Sequence, residues 1–207
     1  MKVRAKICGI TSFEDASQAI SAGADALGFV FYQKSPRYIS PEQAADICKK
    51  LPPFVCKVGL FVDASRNEIN EVCQAVELDL LQFHGDEREE DCLGFSAPYI
   101  KAIKIQSDKD FESAVVNYPS AKAILVDTYK QGVPGGTGDR FDWTLLPMQR
   151  FKPLILAGGL NEKNIYQAIQ SVRPYAVDVS GGVEQVKGKK NHCTVTQFLN
   201  EVSRACE

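Results

Sequence analysis

Hydrophobic residues gather in eight short runs: VRAKIC (Val3 to Cys8), DALGFVF (Asp25 to Phe31), FVCKVGLFV (Phe54 to Val62), LDLLQFH (Leu78 to His84), YIKAIKI (Tyr99 to Ile105), KAILVD (Lys122 to Asp127), KPLILA (Lys152 to Ala157) and YAVDVS (Tyr175 to Ser180). Their brevity and their β-branched and aliphatic content predict buried parallel strands. The segments between them carry helix-start chemistry. Thr11 with Glu14 and Ser65 with Glu68 are capping-box pairs, Ser40 precedes Pro41 as cap and first-turn proline, and Asn161 stands where it would cap a further helix. Each strand is thus followed by a helix or by room for one. Units of about 26 residues repeated eight times predict an α/β fold, a single-domain (β/α)8 TIM barrel over residues 1–207. A doubly wound sheet would want G-x-G-x-x-G after the first strand, and CGITSF has one glycine there.

In such a barrel the chemistry sits where strands end. Cys8, Asp63, His84, Asp127 and Ser180 fall at those ends. Side chains alternate along a strand, so Arg4, Lys6 and Cys8 share a face opposite Val3, Ala5 and Ile7. By the same parity Gln82 goes with His84, and Asp178 with Ser180. The apolar faces are expected against the helices, which points Cys8 into the barrel mouth.

Composition narrows the partners. A chain of 207 residues that is 44% hydrophobic supports one sizeable core. Lys+Arg 24 against Asp+Glu 26 gives a net charge of -2, with no basic run beyond Lys187 to Lys190, so neither nucleic acid nor a membrane surface is an expected partner. No apolar stretch has the length of a secretory signal or a membrane span, and a cytoplasmic protein is expected. Seven cysteines, none spaced C-x-x-C, accompany only His84 and His192, which argues against a disulfide framework and against a bound metal. The expected partner is a small molecule.

Two glycine pairs indicate what kind. AGGLN (Ala157 to Asn161) and SGGVE (Ser180 to Glu184) follow the seventh and eighth strands, where bare backbone N–H groups hold a phosphate in many barrels. Tight turns alone are the competing explanation. Thr128 to Trp143, with four glycines and a proline, has the length of a loop that closes over a ligand, and it lacks the G-K-S or G-K-T of a Walker motif. Proton-transfer groups remain at Cys8 and Asp127. Cys8 as a base must be the thiolate, which nearby Lys6 or a helix N-terminus would favour, and Asp127 as an acid must keep its proton through burial or a neighbouring negative charge. Arg37, in a loop stiffened by Pro36, is either a carboxylate-binding guanidinium or a solvated surface arginine.

KICGIT, GADALGFVFYQKSPRYIS, LQFHGDE, ILVDT followed by GGTGDRFDW, LAGGLN and VDVSGGVE together resemble, in order and spacing, the phosphoribosylanthranilate isomerases of tryptophan biosynthesis, from Lys6 to about Lys190. The resemblance implies a cofactor-free Amadori rearrangement of a phosphorylated substrate, with Cys8 as general base and Asp127 as general acid. It also implies Arg37 as the carboxylate ligand, Gln82 and His84 near the substrate, and Gly158, Gly159, Ser180, Gly181 and Gly182 around the phosphate, in a monomer or a homodimer. There are departures. SGGVE stands where S-S-G-V-E is commoner, and VKGKKNHCTV lacks the usual proline and acidic residue; His192 and Cys193 within it are read as solvated or packing residues. Two rivals stay open: another phosphosugar isomerase, such as the histidine-pathway enzyme that uses two aspartates, and a non-catalytic binder of a phosphorylated ligand.

Overall fold

A computed structural model describes residues 2–127 and 143–207. Eight parallel strands close into a barrel in sequence order: β1 Arg4–Cys8, β2 Ala26–Val30, β3 Cys56–Phe61, β4 Leu80–Phe83, β5 Tyr99–Lys104, β6 Ile124–Asp127, β7 Leu154–Ala157 and β8 Ala176–Val179, with β1 pairing back onto β8. All eight expected runs are strands, trimmed by a residue or two at their ends. Helices α1 Phe13–Ser21, α2 Pro41–Cys48, α3 Arg66–Ala75, α4 Glu89–Cys92 and α5 Asp110–Asn117 follow the first five strands, and α6 Ile165–Val172 and α7 His192–Arg204 follow β7 and β8. After β6 the described residues hold a short 3-10 turn at Trp143–Leu145, and of the expected long loop from Thr128 to Trp143 all but the last residue lies outside them. A small antiparallel pair, β9 Glu184–Val186 and β10 Lys189–Lys190, stands between β8 and α7. No helix among the described residues is long and apolar enough to cross a membrane.

Strand parity divides the molecule into two cores. Outward residues such as Ile7, Phe29, Leu81, Phe83, Val126 and Leu156 pack against the helices in one large cluster. Inward residues make two smaller clusters, Cys8, Val30 and Leu60 from β1 to β3, and Ile100, Ala102, Ala123, Leu125, Ile155, Ala157 and Ala176 on the β5 to β8 side. Lys6, Gln82 and Asp178 are also buried, and their strands β1, β4 and β8 are where one inner cluster gives way to the other. A polar seam thus crosses an otherwise apolar barrel.

The helix caps show where local pattern loses to tertiary contact. Ser65 with Glu68 is a reciprocal capping box as expected, and Ser40 caps α2 with Pro41 in the first turn. At α1 the cap is Ser12, which accepts from the Asp15 N–H, and not Thr11. Thr11 has the same spacing to Glu14, but its hydroxyl donates to the Gly188 carbonyl at 2.6 Å. Asn161 likewise stands one turn too early: it accepts from the Lys163 N–H, and the cap of α6 is Asn164. Without the proline usual at that place, α7 starts from Asn191, whose side chain accepts from the Thr194 N–H. His192 is tied to the buried Asp15 at 2.8 Å, while Cys193 is exposed.

Phe198 of α7 is fully buried where α7 packs against α6 and α1. Phe198→Ala is expected to lower stability by about 3–5 kcal/mol in urea unfolding, through lost burial and the cavity left behind. A loss under about 1 kcal/mol would contradict that packing.

Candidate active site

Cys8 ends β1 with its side chain inward, buried beside Val30 and Leu60. A Cβ built on Gly28 would lie 2.7 Å from Cys8 Sγ and 3.0 Å from Lys6 Cε, so the glycine of β2 makes the space in which thiol and lysine meet. Burial pushes the Cys8 thiol above its ordinary 9.0; the Lys6 charge pulls it down, Asp178 pushes it up and Lys190 pulls it down. Lys6 stays an ammonium. Burial would lower it, but Asp178 and Cys8 outweigh burial and hold it above 10.5.

Across the mouth, Asp127 ends β6 with its side chain about a quarter exposed, as is that of His84 just past β4. His84 Nε2 lies 3.3 Å from Asp127 Oδ2, and Lys104 occupies the facing position on β5. Gln82, expected near a ligand, is fully buried beneath His84. Its amide accepts from Lys6 Nζ at 2.9 Å and meets His84 Nδ1 at 3.0 Å, while Lys6 also donates to Asp178 Oδ2 at 2.9 Å. A continuous set of contacts therefore runs from the β1/β8 side to Asp127.

Arg37 is not a loose surface arginine. Its Nε and Nη2 each donate at 2.7 Å to the two oxygens of Glu184, a planar two-bond pair of the strongest geometry. Nη1 makes no hydrogen bond among the described residues. Glu184 in turn accepts at 3.0 Å from Lys190, whose side chain is completely buried and also donates to the carbonyls of Cys8 and Ser180. One ammonium thus ties the end of β1, the end of β8 and the arginine loop after β2 into a unit.

The glycine loops adjoin this unit. Gly158 and Gly159 after β7 have φ of 81° and 64°, in the left-handed region that favours glycine. A Cβ on Gly182 would run into the Leu160 carbonyl, so the loops after β7 and β8 touch backbone to backbone only because that residue is glycine. Gly181 lies against Arg37, where a Cβ would stand 3.2 Å from Nη2. Two buried atoms lack partners among the described residues, Asp178 Oδ1 and Ser180 Oγ. Among the described residues no group of His, Cys, Asp and Glu is placed to hold a metal ion.

All the sequence-derived site residues lie at the C-terminal ends of the strands, with Gln82 one layer lower. Sequence reasoning missed Asp178 as the partner of Lys6, and Glu184 and Lys190 as the anchors of Arg37. Parity had already turned Lys6 and Asp178 inward, and a lysine inside a barrel needs a carboxylate there. Asp63 links its loop after β3 to the loop after β4: at φ 49° it accepts from the Asp86 N–H, while its own N–H donates to Glu87.

Burial pushes the Glu184 carboxyl up, but Arg37 and Lys190 outweigh it and hold it below 4.5. A depressed carboxyl stabilises the fold above its unfolded value and loses that contribution as pH falls through the folded one. Glu184→Gln is therefore expected to cost roughly 1.5–3 kcal/mol in urea unfolding at pH 7. The gap from wild type should close as pH falls below about 4. A gap that persists unchanged at low pH would contradict the ionic pairing.

Comparison with known proteins finds relatives over nearly the whole chain. Residues 5–201 match the family model for N-(5'phosphoribosyl)anthranilate (PRA) isomerase. The N-(5'-phosphoribosyl)anthranilate isomerase of Pseudomonas putida (strain W619) is 58% identical over 203 residues, covering 98% of each chain. The crystal structure of phosphoribosyl anthranilate isomerase from Thermotoga maritima matches with a TM-score of 0.90 at 47% identity over 98% of this chain and 99% of that one. A phosphoribosyl anthranilate isomerase in complex with reduced 1-(o-carboxyphenylamino)-1-deoxyribulose 5-phosphate matches with a TM-score of 0.86 at 44% identity, again over 98% and 99%. With its barrel, strand-end residues and glycine loops in this order, the chain belongs to the N-(5'-phosphoribosyl)anthranilate isomerase family.

Proposed function

We propose that the chain converts N-(5'-phosphoribosyl)anthranilate into 1-(2-carboxyphenylamino)-1-deoxyribulose 5-phosphate in tryptophan biosynthesis, with Asp127 as general acid and Cys8 as general base. The observation that carries the assignment of roles is that a thiol and a carboxyl end β1 and β6 with inward side chains, on opposite sides of one barrel mouth. Membership of the family supports the reaction itself.

Asp127 gives its proton to the furanose ring oxygen as the C1–O bond breaks toward that oxygen, and the lone pair of the anthranilate nitrogen forms a C1 iminium. The iminium acidifies C2. Cys8 thiolate takes the C2 proton, and the C–H electrons form a C1=C2 bond and neutralise the nitrogen. The resulting enolamine loses its C2 hydroxyl proton and gains one at C1, which gives the ketone. One proton is lent and one is taken, so substrate and product are isomers and no electron carrier is required. Burial favours the protonated thiol, so the two buried ammonium groups, Lys6 and Lys190, supply the counter-charge for the thiolate.

Arg37 would bind the anthranilate carboxylate through its Nη1 edge while Glu184 holds the rest of the guanidinium. Backbone N–H groups of Gly158, Gly159, Gly181 and Gly182, with Ser180, would take the phosphate. Asp178 Oδ1 and Ser180 Oγ, buried without partners among the described residues, suit a sugar hydroxyl and a phosphate oxygen. His84 faces the same mouth, and Gln82 acts through it. The enzyme works in the cytoplasm, as a monomer or homodimer.

Consumption of the fluorescent anthranilate adduct by the purified protein measures the reaction. Cys8→Ala and Asp127→Asn are each expected to lower kcat at least about 100-fold. Near-normal turnover in either variant removes that residue from its role, and tight substrate binding without turnover by the wild type supports a binder instead. Gly28→Ala, which crowds Cys8 Sγ and Lys6 Cε, is expected to cost about 100-fold with the fold intact by circular dichroism.

A further inference from the structure

Lys6 neither gives nor takes a proton in the rearrangement, yet it is buried in the barrel interior with Asp178 Oδ2 and Gln82 Oε1 both 2.9 Å from its ammonium nitrogen. An ammonium group has only hydrogens to offer, so the end of the Gln82 amide that faces it is the oxygen. The other end, Nε2, then lies 3.0 Å from His84 Nδ1. An amide NH2 donates and does not accept, so His84 Nδ1 must present its lone pair. The neutral ring consequently carries its hydrogen on Nε2, which faces Asp127 Oδ2 at 3.3 Å. Gln82 is completely buried, so no solvent is at hand to relieve two donors facing each other if the order were reversed.

We infer that Lys6, acting through Gln82, is a positioning residue that fixes His84 as its Nε2–H tautomer and makes His84 a hydrogen-bond donor to Asp127. No proton travels along these contacts, because Gln82 Nε2 has no lone pair to receive one; what is transmitted is the direction of donation. Given the reading of Asp127 as the acid, on which this consequence rests, the acceptor role of Oδ2 assigns the acidic hydrogen to Oδ1. The charge of one buried lysine near the base thereby sets the geometry of the acid across the barrel.

The chain has only two histidines, His84 and His192, so nitrogen-15 NMR of the imidazole rings reads the tautomer directly, with His192→Gln identifying the second ring. In the wild type without substrate, the His84 hydrogen is expected on Nε2; a hydrogen found on Nδ1 overturns the inference with no variant needed. Gln82→Glu keeps the shape and still accepts from Lys6 but cannot donate. The hydrogen should appear on Nδ1, and kcat should fall roughly 10- to 100-fold with KM little changed. A ring spectrum that stays as in the wild type overturns the proposal, because a merely structural Gln82 would leave the tautomer alone. The ring measurement needs no turnover, so a wild type with the expected tautomer and no isomerase activity would support the inference while removing the functional reading.

Discussion

A charged lysine inside a closed barrel is the constraint around which the rest of the site is arranged. Isolated, the Lys6 ammonium would be far too costly to bury; it persists because Asp178 and Gln82 meet it at hydrogen-bond distance within the same layer. That requirement places polar groups on β1, β4 and β8 and divides the interior into two apolar patches. The patch on β1 to β3 buries the Cys8 thiol, and the patch on the β5 to β8 side underlies Asp127 and the glycine loops. The Cys8 thiol and the Asp127 carboxyl are kept apart by the same seam that connects them.

A second buried lysine organises the rim. Lys190 reaches in from β10 to the Cys8 and Ser180 carbonyls and to Glu184, and Glu184 locks two of the three nitrogens of Arg37. Glu184 holds the guanidinium in one orientation, which lowers the entropy that binding an anion there would cost. Gly181 gives the guanidinium room on that side, where a serine hydroxymethyl group would press on Nη2. Lys190 and Lys6 both counter the burial of Cys8, so the positioning of Arg37 and the electrostatics of the thiol share a source in Lys190.

Much of this was legible in the sequence because it depends on periodicity. Eight aliphatic runs gave eight strands, and alternation along them turned Lys6, Cys8, Gln82, His84 and Asp178 to the inner face. The paired glycines could be placed at the ends of β7 and β8 from spacing alone. What was not legible depends on partners far apart in the chain. Thr11 and Ser12 are both hydroxyls with an acid three residues on, and the Gly188 carbonyl decides between them by engaging Thr11. Arg37 and Glu184 are 147 positions apart, and no local pattern distinguishes an arginine held this way from one in solvent. Lys190 read as part of a basic run, whereas the β9/β10 pair folds it completely inward.

One polar seam thus holds the Cys8 thiol and the Asp127 carboxyl in fixed relation across one barrel mouth. The most direct measurement is a crystal structure of this chain with reduced 1-(o-carboxyphenylamino)-1-deoxyribulose 5-phosphate bound. The expected arrangement has C2 of the sugar about 3–3.5 Å from Cys8 Sγ, the C4 hydroxyl that was the ring oxygen against Asp127 Oδ1, and Lys6 still bonded to Asp178 and Gln82. A ligand seated with C2 away from Cys8, or with Asp127 turned so that Oδ2 leaves His84 to meet the sugar, would contradict it.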